Sequence, residues 1–394
     1  MLFMPTAANR VATFGTTIFT EINDLAARHR AINLGQGKPD FDGPSAVVAA
    51  AVRALQSGQH NQYAPGPGLP ALKQGIAAHA AAYYNLDIDP DAGVIITAGA
   101  TEAVFASVLG LVDPGDEVIV IEPFFDSYVP NIIMANARPV YVPLHPPDWT
   151  FDPDELQRAF SARTRALILN TPHNPTGRVF TLEEMILIAE LCIEHDVTVI
   201  ADEVYEHLVF DSARHIPMAA LPGMFERTVT IGSLGKSFSV TGWKVGWVYG
   251  CPELVAGAAR AHQFITFAVN HPAQEAAAFA LSLPGTYFEE LQAMYAAKRA
   301  LIMQGLTAAG LKARAPEGTY FVMADFSDVF DGDDIEFAQH LTEKIGVACI
   351  PPSPFYSPEH AHLARKQARF AFCKSDDLLK QAGEKLAKLR GQPV

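Results

Sequence analysis

From about residue 94 to residue 250 the chain alternates short aliphatic, β-branched runs with stretches whose apolar residues recur at helical spacing. The runs GVIITAGA, DEVIVIEP, RPVYVPL, RALILN, VTVIADE, TVTIGSL and KVGWVYG predict seven strands. Between them the spacing predicts helices from Thr101 to Val112, near 127–136, at DELQRAF and from Leu182 to His195. The strand runs are apolar at nearly every position rather than at every second one, so both of their faces must be covered. Apolar strands separated by helices specify an α/β fold with a mostly parallel central sheet and helices on both faces. The C-terminal third changes character: helical patterns at 286–309, 334–345 and 376–390 surround the strand-like pieces TYFVMAD, VACIPP and ARFAFC, an α+β pattern. These shifts predict a large α/β domain over 45–284 and a smaller α+β domain made from 1–44 and 285–394.

Composition narrows the choice of partners. Of 394 residues 49% are hydrophobic and 18% charged, enough to bury a large core, and no repeat or low-complexity tract interrupts them. Lys plus Arg is 29 against 43 Asp plus Glu, a formal charge of −14 that repels nucleic-acid backbones and anionic membranes. Cys192, Cys251, Cys349 and Cys373 stand singly, without a CxxC pair or a histidine at metal-ligand spacing. Neither a disulfide framework nor a metal site is indicated, and a reducing cytoplasm fits best. The segment MLFMPTAANR has no basic stretch ahead of an apolar one, and no apolar run reaches the roughly 18 residues of a membrane span. A soluble, unexported protein is expected.

In open α/β sheets ligands bind beyond the carboxyl ends of the strands, so the residues after each run carry the chemistry. After GVIIT, the small residues Ala98, Gly99 and Ala100 lead into a helix near Thr101. They form either a seat for an anion on free N–H groups or a small-residue turn with a threonine cap. No GxGxxG occurs, which argues against a dinucleotide site. After TVTIGS comes LGKSFSVTGWKVGW, with Lys236 between Gly235 and Ser237 and Lys244 eight residues on. A phosphate-binding P-loop would need glycine where Thr230 stands, so that reading fails on spacing. Lys236 is either a snorkelling surface lysine or a desolvated amine suited to Schiff-base chemistry.

After VTVIA, Asp202 and Tyr205 stand three apart; the acid either caps a turn or faces a cationic ring nitrogen. After RALILN, the turn Thr171 to Gly177 contains two prolines and a glycine, and it either fixes the Asn174 amide or is simply tight; His173 reads as a turn residue. One lysine, one acid, one phenol, one amide and an anion-binding helix end on one sheet edge call for a single ligand. It would carry a phosphate, a basic ring nitrogen, a phenolate-like oxygen and an aldehyde, which describes pyridoxal phosphate.

Through INLGQGKPDFDGP, NQYAPGPG, TAGATEA, EPFFDSY, NTPHNPTG, ADEVYEH, SLGKSFSVTGWKVGW and ARFAFCK the chain resembles the fold type I, class I/II aminotransferases over nearly its whole length. It is most similar to the branch of methionine aminotransferases, kynurenine aminotransferases and glutamine transaminase K. The resemblance implies that Lys236 carries pyridoxal phosphate as a Schiff base, that Asp202 pairs with its ring nitrogen, and that Tyr205 and Asn174 hold its 3′-oxygen. Gly99, Ala100, Thr101, Ser233 and Lys244 would cradle the phosphate, joined by Tyr63 of a second subunit, which implies a homodimer with shared active sites. Phe125 would stack on the ring and Arg369 would bind the substrate α-carboxylate, a task suited to its planar fork, with Gly37 and Asn174 completing that pocket. Phe19, Tyr128 and, across the dimer, Phe267 are expected in the side-chain pocket.

Two positions depart from the better-known animal members, which carry Trp where Phe19 stands and His where Ala268 stands. The segments GTTIFTE and TFAVNHPAQ look instead like bacterial methionine-preferring enzymes. The expected activity is ping-pong transfer of an amino group from a methionine, aromatic, glutamine or kynurenine donor to a 2-oxo acid. Two alternatives are a cysteine-S-conjugate β-lyase on the same scaffold and an aminotransferase-like regulatory module. The latter lacks a basic helix-turn-helix extension and has the wrong charge for DNA.

Overall fold

The computed structural model describes residues 7–391, so the first six and last three positions of the expected smaller domain lie outside the described residues. All seven strand runs form one sheet, in the order Val94–Thr97, Gly246–Gly250, Thr228–Ser233, Thr198–Asp202, Thr164–Asn170, Glu117–Glu122, Arg138–Pro143. Only Gly246–Gly250 runs antiparallel to its neighbours. Chain length explains the exception: residues 234–245 hold one turn of helix and a 3-10 turn, too little for the crossover that a parallel return needs.

The continuous apolar runs have a direct structural cause. Val118, Val120, Ala166 and Ile168 belong to one buried cluster, whereas Ile119, Ile121, Leu167 and Leu169 belong to another on the opposite face. Alternate residues thus serve two cores, each roofed by helices. On one side Gly99–Leu111 packs over the sheet, starting two residues earlier than the spacing predicted. On the other lies Leu182–Glu194, begun by a capping box in which the Thr181 side chain and Glu184 satisfy each other's backbone amides.

The C-terminal third builds an antiparallel sheet from Lys312–Ala313, Phe321–Asp325 and Gln367–Ala371. Ile32–Asn33 pairs in parallel with Val347–Ala348, which ties the early chain to this part. The strand expected over VACIPP stops after Ala348, before the two prolines, whose missing N–H groups cannot continue a ladder. The pattern over 334–345 divides into an α-helix, Asp334–His340, and a wider π turn, Leu341–Ile345.

Three neighbouring strands end on polar residues: Asn170, Asp202 and Ser233. Asn170 and Asp202 are register partners, so their side chains emerge together at the carboxyl edge. Arg369 comes to this edge from the other sheet, paired with Met323. The four cysteines are buried and unpaired, and among the described residues no helix is long and apolar enough to cross a membrane.

Candidate active site

Two adjoining cavities open at this edge. The inner one, about 260 Å³, is lined by Gly99, Ala100, Thr101, Tyr128, Asp202, Ser233 and Lys244, among others. The outer one, about 300 Å³, is lined by Phe19, Gly37, Phe321 and Arg369. Phe125, Asn174, Tyr205, Lys236 and Thr241 form the wall between and belong to both. A larger cleft beside Trp149, Arg178 and Arg314 contains none of the expected site residues.

Lys236 sits on the single helical turn Leu234–Ser237, which Ser233 starts by accepting the Gly235 amide at 3.2 Å. Among the described residues its ammonium has no hydrogen bond or ion pair, and it lies 5.5 Å from the Tyr205 ring centre and 5.7 Å from that of Tyr320. Enclosure by protein draws its pKa down to about 8, with Cys373 and Asp202 pulling the other way. An unpaired amine held in a cavity wall is not snorkelling to water; it is poised to be neutral and nucleophilic.

Asp202 is buried at its strand end and accepts the Tyr128 phenol at 2.5 Å, with a longer contact of 3.4 Å from the Val204 amide. Burial raises its pKa, and the Tyr128 hydrogen bond and the Lys236 charge oppose that rise. Tyr128 therefore corrects the expectation of a side-chain-pocket residue. Placed at the start of helix Tyr128–Met134, its phenol turns inward to Asp202, and it lines the inner cavity instead of the outer.

Residue-by-residue reading also missed Asn170. Its amide donates to the Asp202 carbonyl at 2.8 Å and its oxygen accepts the Asn174 N–H at 2.7 Å, locking the loop to the strand end. A polar residue closing an otherwise apolar parallel strand was the available signal. His173 stays a turn residue, bonded to Thr176 at 2.8 Å and held neutral by burial, which pushes its pKa down to about 3.

The helix start brings Gly99, Ala100, Thr101 and Lys244 together. Gly99 has φ of 77°, and a Cβ there would lie 3.1 Å from Lys244 Nζ, so the absent side chain lets the lysine pass. Lys244 donates to Thr101 Oγ1 at 3.2 Å, placing a cation beside the Ala100 and Thr101 end of the dipole. Gly246 is needed for the same packing, since a Cβ there would come 2.6 Å from the Ala100 amide.

Arg369 is 2% exposed, and its guanidinium donates to Asn174 Oδ1 at 3.1 Å and the Gly35 carbonyl at 2.7 Å, while Nε has no partner. It makes no ion pair with any carboxylate among the described residues. Phe321, Phe19 and Phe355 surround it, with ring centres 4.3, 5.1 and 5.6 Å from Cζ. Burial lowers its pKa to about 10, so it remains a cation at neutral pH. Gly37 fits beneath it only as glycine, because a Cβ would meet the Phe321 ring at 2.5 Å. Tyr63 and Phe267 line neither cavity of their own chain; they stand edge to face at 5.5 Å on the surface.

A profile of the family described as aminotransferase class I and II matches residues 29–386. The chain belongs to this family. This aminotransferase is 46% identical over 394 residues to the "Probable N-succinyldiaminopimelate aminotransferase DapC" of Mycobacterium tuberculosis, covering 98% of this chain and 99% of that one. It is 39% identical to a kynurenine–oxoglutarate transaminase of Dictyostelium discoideum, covering 97% and 96%. A solved Escherichia coli structure described as having a methionine aminotransferase function is similar with a TM-score of 0.93 at 38% identity, covering 98% of this chain and 100% of that one.

Aminotransferases of this family and fold use pyridoxal phosphate. The inner cavity of this aminotransferase fits that group. An unpaired lysine can take the aldehyde, a buried carboxylate the ring nitrogen, and a helix start with its own lysine the phosphate.

Proposed function

We propose that this aminotransferase takes amino groups from an L-amino acid of the methionine, aromatic, glutamine or kynurenine class. A 2-oxo acid then receives the group in a ping-pong sequence. The observation that carries this reading is Arg369, a buried cation in a cavity it shares with the Lys236 amine; Asp126 lines the same cavity and its charge acts on Arg369, but no carboxylate among the described residues forms an ion pair with the guanidinium. Such a charge is costly to bury unless an anion arrives to pair with it, and the α-carboxylate is that anion. The rings of Phe19, Phe125 and Phe321 around the outer cavity favour thioether and aromatic side chains over polar ones.

In this reading residues 45–284 carry the cofactor, and 1–44 with 285–394 bring Phe19, Gly37 and Arg369 over it. When bound, pyridoxal phosphate supplies an aldehyde that takes up the amino group and a ring that accepts the electron pair left as the Cα–H bond breaks. Lys236 would hold the aldehyde, and its Nζ, once free, would accept the Cα proton. Asp202, steadied by Tyr128, holds the proton on the ring nitrogen, and Tyr205 and Asn174 hold the 3′-oxygen. Ala100, Thr101, Ser233 and Lys244 hold the phosphate.

A second copy of the chain completes the site. Tyr63 is 82% exposed and stands against the half-exposed Phe267, an apolar pair that a homodimer would cover. There Tyr63 reaches the neighbour's phosphate seat and Phe267 its side-chain pocket. A second substrate reading is favoured by Lys38, which lines the outer cavity and makes no ion pair among the described residues. A distal carboxylate could end there, as in the substrate named for the Mycobacterium relative.

The test is a donor panel of methionine, phenylalanine, glutamine, kynurenine, aspartate and N-succinyldiaminopimelate, with borohydride reduction and peptide mapping of the holoenzyme. Methionine or phenylalanine should lead, with the pyridoxyl label on Lys236. Preference for aspartate or the succinyl compound would overturn the substrate class. A label elsewhere would overturn the site, and pyruvate release from cysteine conjugates without an oxo acid would reassign the main activity to β-elimination.

A further inference from the structure

We propose that His60, His271 and Glu275 form a binding site for a divalent cation of the zinc class, outside the two cavities and independent of the transamination reading. His271 and Glu275 stand at i and i+4 on helix His271–Leu281 and so share one face. His60 comes from the loop after helix Ser45–Gln56, a sequence separation of 211, so no spacing motif could have revealed the set.

The three donor atoms converge. His60 Nδ1 lies 3.1 Å from His271 Nε2 and 3.4 Å from Glu275 Oε1, and the last two are 3.9 Å apart. Ligands bound to one zinc ion at about 2.0–2.1 Å with tetrahedral angles stand about 3.3–3.4 Å from each other, so these atoms already mark three corners around one ion. Tautomer supports the assignment. His271 Nδ1 lies 3.2 Å from the Gln62 carbonyl, which can only accept, so Nδ1 carries the proton and Nε2 presents its lone pair to the other two groups. The carbonyl contact is the outer-shell partner that metal-bound histidines usually have.

Access and donor set agree. The His60, His271 and Glu275 side chains are 24%, 16% and 34% exposed, so an ion can enter and keep water at a fourth position. Two imidazoles and one carboxylate is a set that zinc accepts with one open position. All four cysteines are buried, so no accessible thiolate competes. A second cluster, His79, Glu206 and His207, has its two Nε2 atoms 3.1 Å apart but is already satisfied. The Glu206 oxygen that faces His79 accepts the Tyr84 phenol at 2.5 Å, and the His207 ring stacks on Phe288 at 3.7 Å.

An ion at His60 would clip the loop to helix His271–Leu281 three residues before Tyr63, fixing the base of the exposed Tyr63–Phe267 pair. The test is titration of tag-free holoenzyme with zinc chloride against a chromophoric zinc indicator, followed by thermal melts. One zinc per chain should bind and raise the melting temperature of the wild type. His60→Ala and Glu275→Gln should each weaken binding by at least the roughly 10- to 100-fold that losing an outer-shell partner costs, and His207→Ala should bind as the wild type does. Both variants alter partly exposed side chains, so the test survives even if His271→Ala fails to fold. Absence of binding to the wild type, wild-type binding by His60→Ala and Glu275→Gln, or loss of binding in His207→Ala would overturn the proposal.

Discussion

Two buried phenol–carboxylate pairs lie side by side in this molecule, and only one belongs to a site. Tyr128 donates to Asp202 and Tyr84 donates to Glu206, each at 2.5 Å, and burial raises both phenol pKa values well above the ordinary range. The acids are four residues apart on one segment. Asp202, however, opens on a cavity opposite an unpaired amine, and burial leaves its pKa raised. Glu206 lines neither cavity; burial pushes its pKa up, but His79, His207 and Tyr84 more than offset this and hold it well below the usual carboxylate range. The two arginines repeat the contrast. Arg178 is buried against Glu184 at 2.6 Å and the Trp149 carbonyl at 2.8 Å, whereas Arg369 is bonded to carbonyl and amide oxygens and forms no ion pair among the described residues, with Asp126 acting on it only at longer range. Burial of a polar group therefore does not mark function here; burial with an unfinished set of partners does.

The strongest way to break this contrast is at Lys236, whose amine is the least finished of all. Lys236→Ala should lower kcat by about 10⁴-fold or more, measured with methionine and saturating cofactor, because one group both anchors the aldehyde and moves the proton. Activity retained within tenfold would remove Lys236 from the chemistry. Arg369→Ala comes next. Truncating one member of a buried charge pair costs about 2–5 kcal/mol, so kcat/KM for the amino acid should fall by roughly 30- to 5000-fold. Arg178→Met should instead cost roughly 2–3 kcal/mol of stability in a denaturant melt, since Glu184 keeps an edge in water, with kcat/KM little changed.

The lysine also has a pH signature. The neutral amine captures an aldehyde, and burial sets the Lys236 pKa at about 8. Reconstitution of the apoenzyme should therefore quicken about tenfold per pH unit below 8 and level off above it. A rate still rising at pH 10 would mean an ordinary, solvated lysine.

Much of this contrast was legible in the chain. The seven strands announced themselves as apolar runs, and the rule that ligands lie beyond strand ends singled out Asp202, Asn174, Lys236 and the Gly99–Thr101 turn before any family was invoked. Arg369, Gly37 and Phe19 came only with the resemblance, because they stand on a strand of the other sheet, in a loop and on helix Ile18–His29, and carry no local mark. The direction of Tyr128 and the bracing by Asn170 were not legible. Each depends on a contact between segments, across a sequence separation of 74 for Tyr128 and Asp202 and 32 for Asn170 and Asp202, and only the packed sheet order brings them together. The same holds for His60 and His271.

The smallest effects provide the sharpest form of the comparison, because the same edit can be made in both pairs. Tyr128→Phe removes one hydrogen bond to an ionised acid, worth about 1.5–3 kcal/mol at such a site. That bond favours the charged form, so its loss raises the Asp202 pKa further in the direction burial already pushes it. A less ionised Asp202 holds the ring-nitrogen proton more weakly, so kcat at neutral pH should drop about tenfold and the acid limb of its pH profile should move upward. Tyr84→Phe deletes a bond of the same length to Glu206, and stability should fall by roughly 1–2 kcal/mol for the same reason. Its kcat should stay within about twofold and its pH profile should not move, because nothing that titrates at Glu206 faces either cavity. Equal losses of kcat in the two variants would mean that the cavity is not what separates the pairs, and Asp202 would lose its claim to a catalytic role.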